Sequence, residues 1–276
     1  MATILVLTHP HDLFRSRPFL VHALFPHWTD MGHRVVVHEG TTNLPGADAV
    51  LLHVDRTLVA DDYIDALRGY RVAINGATRD IGKRAISANL VGPYDDYRGP
   101  VIVKTNANAG GIPERLHEEI ARRKGEPLGP PVRYMTERYP VFASIAAVPA
   151  ALRLDPDLVI EKFLPERGDG GYHSRHWLFL GDRDRCHRLL GPHPVVKGGD
   201  MIQREPVPIP DEMRAARARL GFDYGKFDFV LHEGTPVLLD VNRTPTLPAN
   251  LSAPVKAAMG ELSKGIDALL LSASAR

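Results

Sequence analysis

Gly225-Lys-Phe-Asp-Phe-Val-Leu-His-Glu-Gly-Thr-Pro-Val-Leu-Leu-Asp-Val-Asn242 is the stretch that decides how this chain reads. Two apolar runs, 227–231 and 236–240, flank His232-Glu-Gly-Thr235, the pattern of a β-hairpin around a glycine turn. Residues two apart on a strand share a face, so Asp240 and Asn242 aim together. The partner strand can bring Asp228 beside them. Two carboxylates and one amide oxygen form a hard-oxygen set of the kind Mg²⁺ takes, with phosphates and water completing the shell. A single Asp here reads more simply as turn polarity. Three oxygen donors converging from apolar strands reverse that preference, because a buried carboxylate needs a partner.

Working outward, a helix is expected over 211–220, ended by Gly221, and a closing amphipathic helix over 253–271. Upstream, 192–210 is rich in Pro and Gly and reads as irregular, and short strands are expected at 177–180, around Val159 and around Val141. Residues 125–131 form a Gly- and Pro-rich connection after a helix over 113–124. Before that come a strand at 100–104 and a helix over 80–90. The first 75 residues differ in pattern: strands at 4–7, 34–38, 47–54 and 71–74 alternate with helices at 18–31 and 61–67. The fold class expected is therefore α/β plus α+β. A small N-terminal parallel-sheet α/β domain (1–75) precedes an α+β domain (76–276) with lobes of about 76–165 and 166–276.

A second constellation surrounds Lys104, at the end of an apolar strand and followed by Thr105-Asn-Ala-Asn-Ala-Gly-Gly111. Gly110 and Gly111 allow backbone amides to approach an anion, and the helix that follows adds a favourable dipole. Together these make a phosphate grip; Gly-rich loops after strands are also common turns. Residues 76–83 resemble a P-loop, but five residues intervene instead of four and Arg84 replaces Ser/Thr, so the motif is rejected. His9 and His11 read either as a metal pair or, preferably, as loop polars at the mouth of a cleft. His173 and His176 flank Arg175 with no complete ligand set, and no G-x-S-x-G is present.

Composition sets the bounds. Lys plus Arg number 34 against 33 Asp plus Glu, a net charge of +1 that excludes a polybasic nucleic-acid coat. One cysteine, Cys186, excludes an intrachain disulfide and a Cys-based zinc site, and fits a cytoplasmic protein. The first residues lack the basic segment and apolar length of a signal peptide, and no apolar run suits a membrane helix.

The order of motifs from about residue 75 to 250 resembles the ATP-grasp superfamily, which includes D-alanine–D-alanine ligase, glutathione synthetase and the ligases that add glutamate to a ribosomal protein. Its metal motif places an Asp about a dozen residues before Glu-x-Asn, with Ser/Thr-Pro following. Here Asp228 precedes Asp240 by twelve residues, Asn242 follows, and Thr244-Pro245 comes next; Asp240 stands where Glu is usual. The resemblance implies Mg²⁺, with Mn²⁺ as an alternative, on Asp228, Asp240 and Asn242. It implies ATP phosphates on Lys104 beneath a 106–111 lid loop holding Gly110 and Gly111, with Lys83 and Lys197 as further phosphate lysines. Glu161 and Lys162 would address adenine, Phe163 and Leu164 would read its edge through their backbones, and Glu166 would meet the ribose. Lys226 and Arg175 would steady the reacting oxyanion.

The implied activity is an ATP- and Mg²⁺-dependent carboxylate–amine ligase working through an acyl phosphate. The alternatives are a small-molecule kinase on the same scaffold and a non-catalytic nucleotide-binding protein. Expected partners are a small-molecule carboxylate and an amine, or a peptide, with no nucleic acid and no membrane; a homo-oligomer is left open. The resemblance implies that the N-terminal domain lines part of the substrate cleft, with the loops near 9–17 and Asp55 as candidates, and the histidines and arginines there suggest an anionic substrate.

Overall fold

A computed structural model describes residues 1–135, 139–196, 199 and 201–272. Strands β1 (Thr3–Thr8), β2 (Arg34–Glu39), β3 (Ala49–Leu52) and β4 (Val72–Ile74) form a parallel sheet in the order β2-β1-β3-β4. Helices α1 (Phe25–Asp30) and α2 (Asp61–Leu67) belong to this part. β1 is buried on both faces, which is why it reads as a continuous apolar run. Leu5 and Leu7 pack with Tyr63 and Leu67 of α2. Ile4 and Val6 pack with Leu20 and Trp28, and also with Leu178, Tyr224 and Ile266 from the far end of the chain.

The middle of the chain forms a three-stranded sheet, β6-β5-β7, from β5 (Val101–Thr105), β6 (Val141–Phe142) and β7 (Leu158–Lys162). Both pairings are antiparallel. With it go α3 (Lys83–Ile86), α4 (Ile112–Lys124) and α5 (Ala150–Arg153). The remainder is a second antiparallel sheet in the order β11-β10-β9-β12-β13, with β8 also paired to β9. Its strands are β8 (Glu166–Gly168), β9 (Gly171–Leu180), β10 (Arg183–Gly191), β11 (Gln203–Pro206), β12 (Tyr224–His232) and β13 (Thr235–Asn242). Trp177, Phe179, Phe227 and Phe229 make one of its faces apolar and pack with Met213 of α6 (Asp211–Arg219). Helices α7 (Ala253–Ser263) and α8 (Gly265–Ser272) close the chain. Among the described residues, no helix is long and apolar enough to cross a membrane.

Several local expectations change. The helix expected over 18–31 is a 3-10 turn, Leu20–Ala23, followed by α1 alone, because Pro26 near the start of α1 donates no hydrogen bond to the preceding turn. The helix over 80–90 shrinks to α3, since Leu90 bridges Glu161 and the Val91 amide donates to Ile160; sheet pairing captures the segment. The closing helix breaks at Gly265, where a Cβ would lie 1.8 Å from the Leu180 carbonyl oxygen, so only glycine lets the backbone press against β9 there. Residues 203–206 of the stretch read as irregular are β11.

Two polar clamps join the N-terminal sheet to the large one. Asn75, at φ 63°, is fully buried; its side-chain oxygen accepts from the amides of Asp223 and Tyr224, and its Nδ2 donates to the Tyr224 carbonyl. Asn tolerates this left-handed conformation better than most residues. Arg243, also fully buried, donates to the carbonyls of Thr78, Arg56 and Val54.

His53 lies fully buried between Phe14 and Phe19, with ring centroids 5.2 and 4.8 Å away in edge-to-face geometry. Burial pushes its pKa down to about 3, and nearby His22, Arg243 and Arg17 add repulsion. The native ring stays neutral while the unfolded chain takes up a proton below about pH 6.5. Stability is therefore full above pH 6.5 and falls as pH drops toward 3, by ~1.4 kcal/mol per pH unit from this group. His53→Phe removes that contribution. In urea unfolding, the stability lost between pH 7 and pH 5 should shrink by about 2 kcal/mol relative to wild type; an unchanged loss would refute the assignment.

Candidate functional site

A cleft of about 300 Å³ opens between the three-stranded sheet and the large sheet. Ile102, Phe163, Leu164 and Val230 supply apolar wall, and Lys83, Lys226, Asp228 and Asp240 supply charge. The register explains the grouping: Asp228 on β12 lies opposite Asp240 on β13 and His176 on β9, with a bulge just after it. The Lys226 ammonium donates to Asp228 Oδ2 at 2.9 Å, and Lys83, reaching in from α3, donates to Asp240 Oδ1 at 2.5 Å.

The electrostatics follow from these pairs. Burial alone would pull both lysines down, but the facing carboxylates outweigh it and hold each above its ordinary value. Burial pushes the Asp228 carboxyl up; Lys226 and His176 outweigh it and hold it below the usual range. Two carboxylates and their two lysines thus share one wall of a small cleft that Lys104 and Lys162 also line. Asp228 Oδ1 is buried without a hydrogen-bond partner; His176 Nε2, at 3.6 Å, is too far to provide one. An orphaned carboxylate oxygen beside a second carboxylate is a donor set that fits a hard divalent cation.

On the opposite wall, Lys104 of β5 pairs with Glu161 of β7 at 2.6 Å, both buried. Their strands run antiparallel with Ile102 facing Glu161, so the pair is diagonal across one face. Glu161 Oε1 has no partner. Lys162, Phe163 and Leu164 continue along the cleft. The Lys162 ammonium lies 5.3 Å from the Tyr97 ring centroid, and the Phe163 amide donates to the Pro100 carbonyl.

Other expected residues sit elsewhere. Glu166 and Arg175 pair with each other, buried, and Glu166 Oε2 also accepts the Leu231 amide at 2.7 Å; neither lines the cleft. Arg175 alternates with Ser174 and His176, which line the cleft, and its guanidinium is taken by Glu166 instead. Asn242 Oδ1 accepts the Thr244 amide at 2.8 Å and is also absent from the cleft lining. Gly110 and Gly111 adopt φ 69° and 78°, and a Cβ on them would lie 2.5 Å from the Met135 carbonyl oxygen and 2.7 Å from that of Arg133. Their loop packs against 133–135 rather than over the cleft. Lys197 falls outside the described residues. Sequence reasoning missed Tyr139 and Ser174 in the cleft wall, and left His176 without a role there.

A second cavity, about 500 Å³, opens at the carboxyl ends of β1 and β3, against α4. His9, His11 and His117 gather there, with His9 and His117 stacked at 4.4 Å between centroids. Burial lowers the pKa of His9 to about 4 and of His117 to about 3. Asp12, fully buried, bonds His117 Nε2 at 2.7 Å and accepts the His9 amide. The Asp55 amide also donates to Asp12, and Asp55 Oδ1 accepts the Thr244 hydroxyl at 2.5 Å. A polar chain therefore runs from this cavity to Asn242.

No family model and no curated protein matches the sequence. Solved structures do match over nearly the whole chain. D-alanine–D-alanine ligase from Bacillus anthracis, complexed with ATP, aligns at TM-score 0.52 and 14% identity, covering 100% of this chain and 98% of that one. Macrocyclase MdnC from Microcystis aeruginosa, bound with precursor peptide MdnA, aligns at 0.51 and 10% identity over 95% and 99%. The ATP-grasp ligase PsnB, complexed with minimal precursor, Mg and ADP, aligns at 0.50 and 15% identity over 94% and 97%. The chain has the ATP-grasp fold. The cleft lies between the three-stranded sheet and the large sheet, whereas the histidine cavity lies between the parallel sheet and α4, so the two are separate places in one fold.

Proposed function

We propose that this chain is an ATP- and Mg²⁺-dependent carboxylate–amine ligase, built as an N-terminal domain over 1–75 and an ATP-grasp domain over 76–276. The reading rests on one observation above all: Lys83–Asp240 and Lys226–Asp228 face a cleft whose opposite wall carries Lys104 and apolar side chains. Ammonium groups at that density suit a polyphosphate, and the apolar wall suits a purine ring.

Asp228 and Asp240 would hold the metal, which supplies charge neutralisation on the nucleotide phosphates. Asn242 would join them only by releasing the Thr244 amide. Lys104 and Lys83 would bind phosphate oxygens, and Phe163 and Leu164 would cover the base. A substrate carboxylate oxygen attacks the γ-phosphorus, the bond to the β-phosphate oxygen breaks, and ADP leaves. An amine then attacks the acyl carbon, phosphate departs and the nitrogen sheds a proton. Lys226 lies beside Asp228, where it would neutralise charge developing on the reacting oxygens. The apolar wall keeps water from the mixed anhydride.

Titration calorimetry with a non-hydrolysable ATP analogue tests this reading. Binding is expected to require Mg²⁺ and to disappear in Asp228→Asn. No binding with or without Mg²⁺ would overturn it. In turnover assays, a phosphorylated product in place of a ligated one would change the assignment to a kinase.

A further inference from the structure

We propose that His9, His11 and His117 form a binding site for a Zn²⁺-class divalent transition-metal ion, open on one side to the N-terminal cavity. Among the described residues this is the one group of three or more His, Cys, Asp or Glu side chains that could hold a metal ion, with its donor atoms all within 4.8 Å of one another. Imidazole nitrogens suit zinc-like ions, whereas the two carboxylates of the nucleotide cleft suit magnesium.

The surroundings are those a metal site uses. His117 Nε2 is held by Asp12 Oδ1 at 2.7 Å, and His117 Nδ1 is buried with no partner at all. His11 Nε2 is held by Glu126 Oε2 at 2.9 Å, which leaves its Nδ1. A carboxylate on one ring nitrogen fixes the proton there and leaves a lone pair on the other, the arrangement found behind metal-bound histidines. His9 Nδ1 accepts the His11 amide at 3.0 Å, so its lone pair would be released to the metal by breaking that single bond. Tetrahedral bonds of ~2.0–2.1 Å place donor nitrogens about 3.4 Å apart, so binding would draw the rings inward. The loop after β1 carries two of the rings and α4 the third, so that movement needs no change inside a strand.

Three protein ligands leave a fourth position, and the cavity of about 500 Å³ lies on that side. His9 and His11 follow the carboxyl end of β1, and Arg56, which also lines the cavity, follows that of β3, its neighbour in the sheet. This edge of an open parallel sheet is where ligands are received. An ion there would present its open position to an oxyanion or amine group of whatever occupies the cavity.

Full-length protein, freed of any affinity tag and stripped with chelator, is dialysed against buffered Zn²⁺ and, separately, Co²⁺. The expected result is one Zn²⁺ per chain and visible Co²⁺ bands of a low-coordinate nitrogen site. His117→Gln and His9→Gln should each weaken Zn²⁺ binding by at least about 100-fold, and Asp12→Asn, which only positions His117, by ~10- to 100-fold. His9 is the more exposed of the ligands, so its variant tests the site even where His117→Gln misfolds; far-ultraviolet circular dichroism reports folding. Asp240→Asn should retain full Zn²⁺ stoichiometry. Substoichiometric binding by wild type, or unchanged binding in folded His9→Gln, would overturn the proposal. Nucleotide binding is a separate readout: zinc without nucleotide keeps this inference and defeats the ligase reading, and nucleotide without zinc does the reverse.

Discussion

Replacing Asp240 with asparagine is expected to lower Mg²⁺-dependent ADP release by about 10²- to 10³-fold, the scale set by removing one charge-stabilising group from a preorganised site. Asparagine keeps an oxygen to accept the Lys83 ammonium, now 2.5 Å away, so the fold is disturbed little. What is lost is one of two formal negative charges in a cleft that also holds Lys226 and Lys83. Mg²⁺ affinity should fall, and added Mg²⁺ should rescue only part of the rate. Asp240→Ala is a harsher test, because it strands a lysine that is only 3% exposed and so costs stability as well. Coupled detection of ADP across a Mg²⁺ series, with circular dichroism on each variant, checks the prediction. A rate equal to wild type in Asp240→Asn would remove Asp240 from the site.

The largest effect on stability is expected at Arg243. The side chain is 0% exposed and donates to three backbone carbonyls. Burial lowers its pKa to about 10, with Asp55 and Asp12 opposing the fall, so the guanidinium remains charged near neutral pH. Arg243→Met has similar length and no donors. It leaves those carbonyls without their partner and removes a cation from beside buried Asp55, for a cost of ~3–5 kcal/mol. At a urea slope of about 2 kcal/mol per molar, the unfolding midpoint should drop by roughly 2 M. A midpoint shift below a quarter of that would mean that water replaces the lost donors. The same substitution should leave the Lys226–Asp228 pair in place in whatever fraction remains folded.

The hairpin carrying Asp228 and Asp240 was legible because its signals are local: two apolar runs, a glycine turn and a fixed parity. Lys104 was legible for the same reason, as a polar end to an apolar strand. Arg175 shows the limit of that reading. A one-residue error in assigning a face exchanges Arg175 for His176, and the unbroken polar run Tyr172-His-Ser-Arg-His176 gives no signal for which is inward. β10 carries Arg183-Asp-Arg-Cys-His-Arg188, polar enough to hide a strand that the sheet stabilises through both of its neighbours. Partners distant in sequence were not legible at all. Lys83 finds Asp240 157 positions away, and His117 meets Asp12 across 105. Only the fold brings such groups together, and neither periodicity nor spacing encodes it.

The clamps at Asn75 and Arg243, with the core shared by Ile4, Leu178 and Ile266, join the parallel sheet and the large sheet at three separated points. An assembly fastened that way behaves as an anvil. Any change in the width of the cleft lined by Asp228 and Asp240 must then come from the β6-β5-β7 unit, which acts as the jaw. Lys104, Glu161 and Phe163 travel with the jaw, while Asp228, Asp240, His9 and His11 stay with the anvil.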